Sequence, residues 1–143
     1  MANSGKKRRI KDRKARTKQD LAQRRPERKS TNRETPWFCF NQLQRGHCIQ
    51  DCEREQQAAV ADTLRRLSQL TWGEISQAHR HGLGYEKISR DSLKVPIPPQ
   101  VTEDAQLLSF RCHAHAPMVG YRVDRVFHVV WVDRAFDVYN HGS

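Results

Sequence analysis

The sequence predicts an α+β domain, one or two helices packed on one face of a small antiparallel β-meander, preceded by a disordered basic arm over residues 1–33. Three observations predict it. From Gln106 to His141 the chain carries apolar, β-branched and aromatic runs separated only by short polar steps. Ahead of these, Val60, Leu64 and Leu67 recur at helical spacing. Charge is also uneven: residues 1–33 hold 14 Lys and Arg against Asp12, Asp20 and Glu27, a net of +11, whereas residues 34–143 hold 12 basic and 13 acidic side chains, a net of −1. The basicity therefore belongs to the arm, and residues 34–143 form the domain.

The arm has only Ile10 and Leu21 as large apolar side chains, too little burial to offset the entropy of ordering. Lys11, Lys14 and Lys18 sit at helical spacing, so a polyanion can induce a helix. Lys6, Lys7, Arg8, Arg9, Lys11, Arg13, Lys14, Arg16, Arg24 and Arg25 are the candidate contacts to nucleic acid, ribosomal RNA included, because each neutralised phosphate releases counterions. A localisation or solubilising tail is the alternative. Membrane anchoring fits poorly, because the arm has no apolar aromatic face to insert. No run of about 18 apolar residues spans a bilayer, and no apolar segment follows the basic start as in a signal peptide. The expectation is a cytoplasmic protein whose four cysteines are free thiols.

The folded part opens at Pro36-Trp37-Phe38-Cys39-Phe40, read as a first strand or an extended segment pinned to the core. Asp51 is placed to cap a helix from about Cys52 to Leu70. Thr71 and Glu74 form the Thr-x-x-Glu capping box of a short second helix ending near Ala78, where Gly82 and Gly84 follow. Pro96, Pro98 and Pro99 make a stiff linker into the sheet. There Val119, Tyr121 and Val123 alternate, as do Phe127, Val129 and Trp131, and Asp124-Arg125 and Asp133-Arg134 mark two hairpin turns. The solvent face of this meander is expected to carry Arg111, Arg122, His128, Tyr139 and His141.

Two sets of side chains carry candidate chemistry. His79 and His81 flank Arg80 at a helix end, where imidazole can move protons and guanidinium can hold a phosphate. Interaction with the helix dipole and last carbonyls explains the same histidines without function. Arg122, His128, Tyr139 and His141 can converge from neighbouring strands. Together they supply the base, cation and acid that metal-free RNA cleavage needs. The plain alternative has Tyr139 packed against the sheet edge and His141 frayed. Cys39, Cys48 and Cys52 with His47, and Cys112 with His113 and His115, are thiol–imidazole groups, but neither has the paired spacing of a zinc knuckle. No metal or other cofactor is expected. Phosphate-loop, serine-hydrolase and EF-hand motifs are absent.

The stretches TWGEISQAHRHGLGYEKI (Thr71 to Ile88) and MVGYRVDRVFHVVWVDRAFDVYNH (Met118 to His141) resemble a group of small bacterial and phage-encoded proteins, mostly uncharacterised. More remotely, helices followed by a meander with a Tyr-Arg strand and a terminal Tyr and His are similar to the RelE/ParE toxin superfamily. That resemblance implies metal-independent cutting of mRNA on the ribosome, with Arg122 on the phosphate and His128, Tyr139 or His141 as acid or base. An antitoxin or another protein is a candidate partner, and the sequence leaves open which. The neutral domain and the added arm depart from that pattern, and the arm is the natural source of the missing RNA affinity. The expected function is RNA or ribosome binding with endoribonuclease activity of this type. The alternative is a non-catalytic phage or bacterial interaction protein that binds nucleic acid or an acidic protein.

Overall fold

The chain places its first strand beside its last. In the computed structural model, which describes residues 29–80, 82–112 and 116–141, two helices and five strands alternate unevenly. The strands are β1 (Trp37–Cys39), β2 (Tyr85–Ile88), β3 (Leu107–Phe110), β4 (Met118–Val123) and β5 (Val126–Val132). The helices α1 (Arg54–Leu67) and α2 (Trp72–Gln77) lie between β1 and β2 in sequence. The spatial order is β1-β5-β4-β3-β2. β3 to β5 form the expected antiparallel meander, and β2, which the sequence did not predict, extends it beside β3. β1 joins β5 in parallel, so the sheet is mixed rather than purely antiparallel. A parallel neighbour needs a long connection, which everything between β1 and β5 supplies.

Both faces of the sheet are covered, and this corrects the expectation of a solvent face. On one face Val60 and Leu67 of α1 and Trp72 and Ile75 of α2 pack on Leu108, Phe110, Met118, Phe127 and Val129. Phe110 and Phe127 meet edge to face, centroids 5.0 Å apart at 89°. On the other face Ile88, Leu107, Val119, Tyr121 and Trp131 are covered by Leu93, Val95, Ile97 and Val101 and by Val138 and Tyr139. The proline-rich stretch is thus a lid on the core and not a spacer. Arg90 holds it there, Nη1 to Thr102 O at 2.5 Å and Nη2 to Val101 O at 3.1 Å.

Local signals explain most boundaries. Glu74 N–H donates to Thr71 Oγ1 at 3.2 Å, the capping contact that starts α2. Asp51 does not cap α1; it lies in a 3-10 turn, where its Oδ2 accepts from Cys48 N–H at 3.1 Å. The residue that begins α1 is Glu53, whose N–H donates to Gln56 Oε1 at 3.0 Å. Asp124 takes φ +54° in the two-residue turn between the paired Val123 and Val126. Asp133-Arg134 does not make a further hairpin: β5 ends there, and beyond it a single antiparallel bridge joins Tyr139 to Leu93.

The register shifts between Val119 and Gly120, which pair with Trp131 and Val129, so Val130 is an extra residue in β5. Phe127 and Val129 therefore face the helices while Trp131 faces the proline-rich cover, although the three were expected on one face. Thr31 and Asn32, assigned to the arm by composition, are already bonded to the domain, since Asn32 O accepts Gly73 N–H at 2.8 Å. Among the described residues no helix is long and apolar enough to cross a membrane.

Candidate functional site

β2, β3 and β4 align Glu86, Ser109 and Val119 side by side, so these side chains emerge on the face away from the helices. Arg111 continues that face just past the end of β3. The chain after β5 is folded back over this corner by one carboxylate. Asp133 Oδ1 accepts the N–H groups of Asp137 at 2.8 Å and Val138 at 3.2 Å. The return is secured by Lys94 N–H to Val138 O at 2.8 Å and Asn140 N–H to Ser92 O at 2.9 Å. Tyr139 then lies on the sheet, its hydroxyl 3.1 Å from Ser109 Oγ.

His141 closes the loop. Its Nε2 lies 3.0 Å from the second oxygen of Asp133, whose side chain is 0% exposed. Its ring sits 3.9 Å from the Tyr139 ring and 5.2 Å, near edge-on, from Phe136. Phe136 is 48% exposed and holds φ +54°, an uncommon backbone for a bulky residue. These groups line a cavity of about 130 Å³ together with Arg80, Glu86 and Arg111. Arg80 pairs with Glu86 at 3.7 Å. Burial pushes the Tyr139 hydroxyl above its usual range, with Glu86 and Asp133 adding to the effect and Ser109 and Arg111 opposing it. It therefore stays protonated at neutral pH.

The side chains expected to converge do so only in part. Tyr139 and His141 meet, and Arg80 joins them from the His79–His81 segment. Arg122 does not join. It lies over Trp72 on the helix face, guanidinium carbon 4.4 Å from the ring centroid. It donates to Asp124 O at 2.6 Å, Thr31 Oγ1 at 2.8 Å and Asn32 Oδ1 at 3.0 Å. Burial lowers its pKa from the usual guanidinium value. His128 is on the cavity's face but at the opposite end of β5, stacked on Tyr121 with centroids 4.9 Å apart. Its Nδ1 is buried with no hydrogen-bond partner.

The His79 carbonyl accepts the N–H groups of Gly82 and Gly84, which closes the loop that carries Arg80. His81 lies outside the described residues, as do His113, His115 and the arm positions Lys6, Lys7, Arg8, Arg9, Lys11, Arg13, Lys14, Arg16, Arg24 and Arg25. Among the described residues no three His, Cys, Asp or Glu side chains are placed to hold a metal ion, so Cys39, His47, Cys48 and Cys52 do not gather into a site. His47 instead faces Asp137, Nε2 to Oδ1 at 3.4 Å.

Sequence reasoning missed Asp133, which it read as a turn residue, and placed Arg111 on the sheet without a role, whereas it had offered Arg80 as a phosphate contact. The available signal was the spacing Asp133 to His141, which becomes meaningful only once the chain reverses between them. No family model, curated protein or solved structure matches this chain.

Proposed function

We propose that this protein binds RNA and cleaves it without a metal at the cavity under His141, acting in the cytoplasm on RNA or on the ribosome. One observation carries the reading: a buried aspartate orients a histidine beside a tyrosine and two arginines in a single cavity. With Nε2 turned to Asp133, the other ring nitrogen of His141 is left to take the proton of a ribose 2′-hydroxyl. The freed oxygen attacks the adjacent phosphorus, and Arg80 and Arg111 balance the charge that builds on the phosphorane. Tyr139, held protonated, supplies the proton to the departing 5′-oxygen. The products are a 2′,3′-cyclic phosphate and a 5′-hydroxyl. The phosphate role assigned to Arg122 by resemblance passes to Arg80 and Arg111 in this scheme, because Arg122 lies over Trp72 on the helix face and does not line the cavity.

The test is induced expression in bacteria, wild type against His141→Ala, reading growth and the 5′ ends of cellular mRNA. Growth arrest with codon-phased 5′-hydroxyl ends, absent in the variant, is the expected result. Unchanged arrest in the variant would remove His141 from the scheme. A second reading is favoured by the near-complete enclosure of Tyr139 and the Arg80–Glu86 pairing. In it the site only binds, nucleic acid or an acidic protein such as an antitoxin, and no new RNA ends appear.

A further inference from the structure

We infer that the surface around Trp37 is a stacking platform for unpaired nucleobases, set at the root of the basic arm; this rests on the RNA-binding part of the reading above. Trp37 is 59% exposed, whereas Trp72 and Trp131 are 0% and 1% exposed. The exposed ring is not loosely held. Its backbone pairs with Val126, and Trp37 N–H donates to Arg125 O at 3.0 Å. The Arg125 guanidinium lies over the indole, 4.2 Å from the centroid. Thr35 fixes that guanidinium, accepting from Nε at its carbonyl (3.1 Å) and from Nη2 at its hydroxyl (3.2 Å), and the Glu34 carboxylate stands 3.9 Å away.

The register extends the platform. Trp37 pairs with Val126, and Val126 with the exposed Val123, so the three side chains form one row across the sheet. The next row on that face carries the stacked pair Tyr121 and His128, where the buried Tyr121 bounds the platform. An aromatic side chain kept rigid and in solvent loses little freedom when a base stacks on it.

Charge identifies the occupant. Lys29 and Ser30 border a groove with Arg122 and Asp124, and Asp124-Arg125 is the turn that also holds Trp37. Residues 29–32 thus meet the domain at the turn that also holds Trp37, on the helix side of the sheet. Residues 1–28 carry 12 Lys and Arg against Asp12, Asp20 and Glu27, a net of +9. Such a segment attracts a polyanion by counterion release. The flat ring beside it selects a polyanion whose bases are free, a single-stranded nucleic acid and not a duplex or an acidic peptide, and the reading above takes it to be RNA.

The test titrates the full chain with oligouridylate, with the same oligonucleotide paired to oligoadenylate, and with polyglutamate, following tryptophan emission. The two buried indoles are shielded, so quenching reports on Trp37. Oligouridylate alone is expected to quench. Trp37→Leu should weaken its binding about tenfold at fixed salt, as expected for the loss of one stacked base, with the salt dependence unchanged. Trp37→Phe should bind within roughly threefold of wild type. Near-ultraviolet circular dichroism from Trp72 and Trp131 checks that both variants are folded. Wild-type affinity in Trp37→Leu, or equal quenching by the duplex or by polyglutamate, overturns the platform. Failure of the wild type to bind any RNA overturns the RNA-binding reading itself, a distinct outcome.

Discussion

His141 Nε2 lies 3.0 Å from Asp133 Oδ2, and the other oxygen of the same carboxylate holds the two backbone N–H groups that turn the chain back toward His141. Asp133 therefore builds the loop and orients the imidazole at once. Asp133→Asn keeps an acceptor for the two N–H groups while changing what faces the imidazole. It is expected to stay folded and to lose the proposed RNA cleavage by about ten-thousandfold, by analogy with triad aspartates. Asp133→Ala removes the acceptor altogether and should cost about 3 kcal/mol by urea denaturation. Equal stability of the two variants would contradict this double role.

Arg122 gives the opposite pattern. Two of its three hydrogen bonds tie Thr31 and Asn32 to the domain, and the third, to Asp124 O, with its stacking on Trp72 fixes it in place. Arg122→Ala should lose about 2 kcal/mol of stability while folded molecules keep their activity. Arg80→Ala, at an exposed ion pair, should change stability by less than about 1 kcal/mol and still weaken cleavage. Melting temperature and activity per folded molecule, measured on both variants, separate the two roles.

Gly120 sits at the register shift in β4, and a Cβ there would overlap the His128 carbonyl oxygen and crowd the Phe127 ring. The oxygen belongs to a paired strand and cannot swing aside as a side-chain tip would. Gly120→Ala should therefore destabilise by about 3 kcal/mol or prevent folding, as seen in the denaturant midpoint or in soluble yield. A variant as stable as wild type would mean that β5 can relax at Val130.

How much of this was legible in the sequence depended on how far apart the partners lie. Thr71 with Glu74, and the Asp124-Arg125 turn, are local patterns, and both formed where expected. The alternation across Phe127, Val129 and Trp131 failed at Trp131 because a single extra residue, Val130, reverses the faces beyond it. Tyr85–Ile88 gave no strand signal: it is an edge strand with Glu86 and Lys87 exposed between its apolar ends. The site was half legible for the same reason. Tyr139, His141 and Arg80 announced themselves by residue type, whereas Asp133 acquired its role from a chain reversal and Arg111 from its place beside the cavity.

Cys112 offers a test at alkaline pH. Burial pushes its thiol from 9.0 up to about 11. The folded state therefore keeps this proton while the unfolded chain has lost it, and the stabilisation is complete below pH 9 and disappears as pH rises toward 11. The difference corresponds to about 3 kcal/mol. Denaturation across that window should show a steeper loss in wild type than in Cys112→Ala. Parallel curves would mean that the thiol ionises without cost to the fold.

The parallel pairing of β1 with β5 also orders events in time. A ribosome releases Trp37–Cys39 early, but the strand it must bond to, Val126–Val132, emerges almost last. The helices and the β2-β3-β4 meander can associate while β1 still lacks its partner, and its pairing carries the largest loop-closure cost in the sheet. Docking of β1 is then expected to be the closing step of folding, and Trp37 takes its place on the surface only when the rest of the sheet is complete.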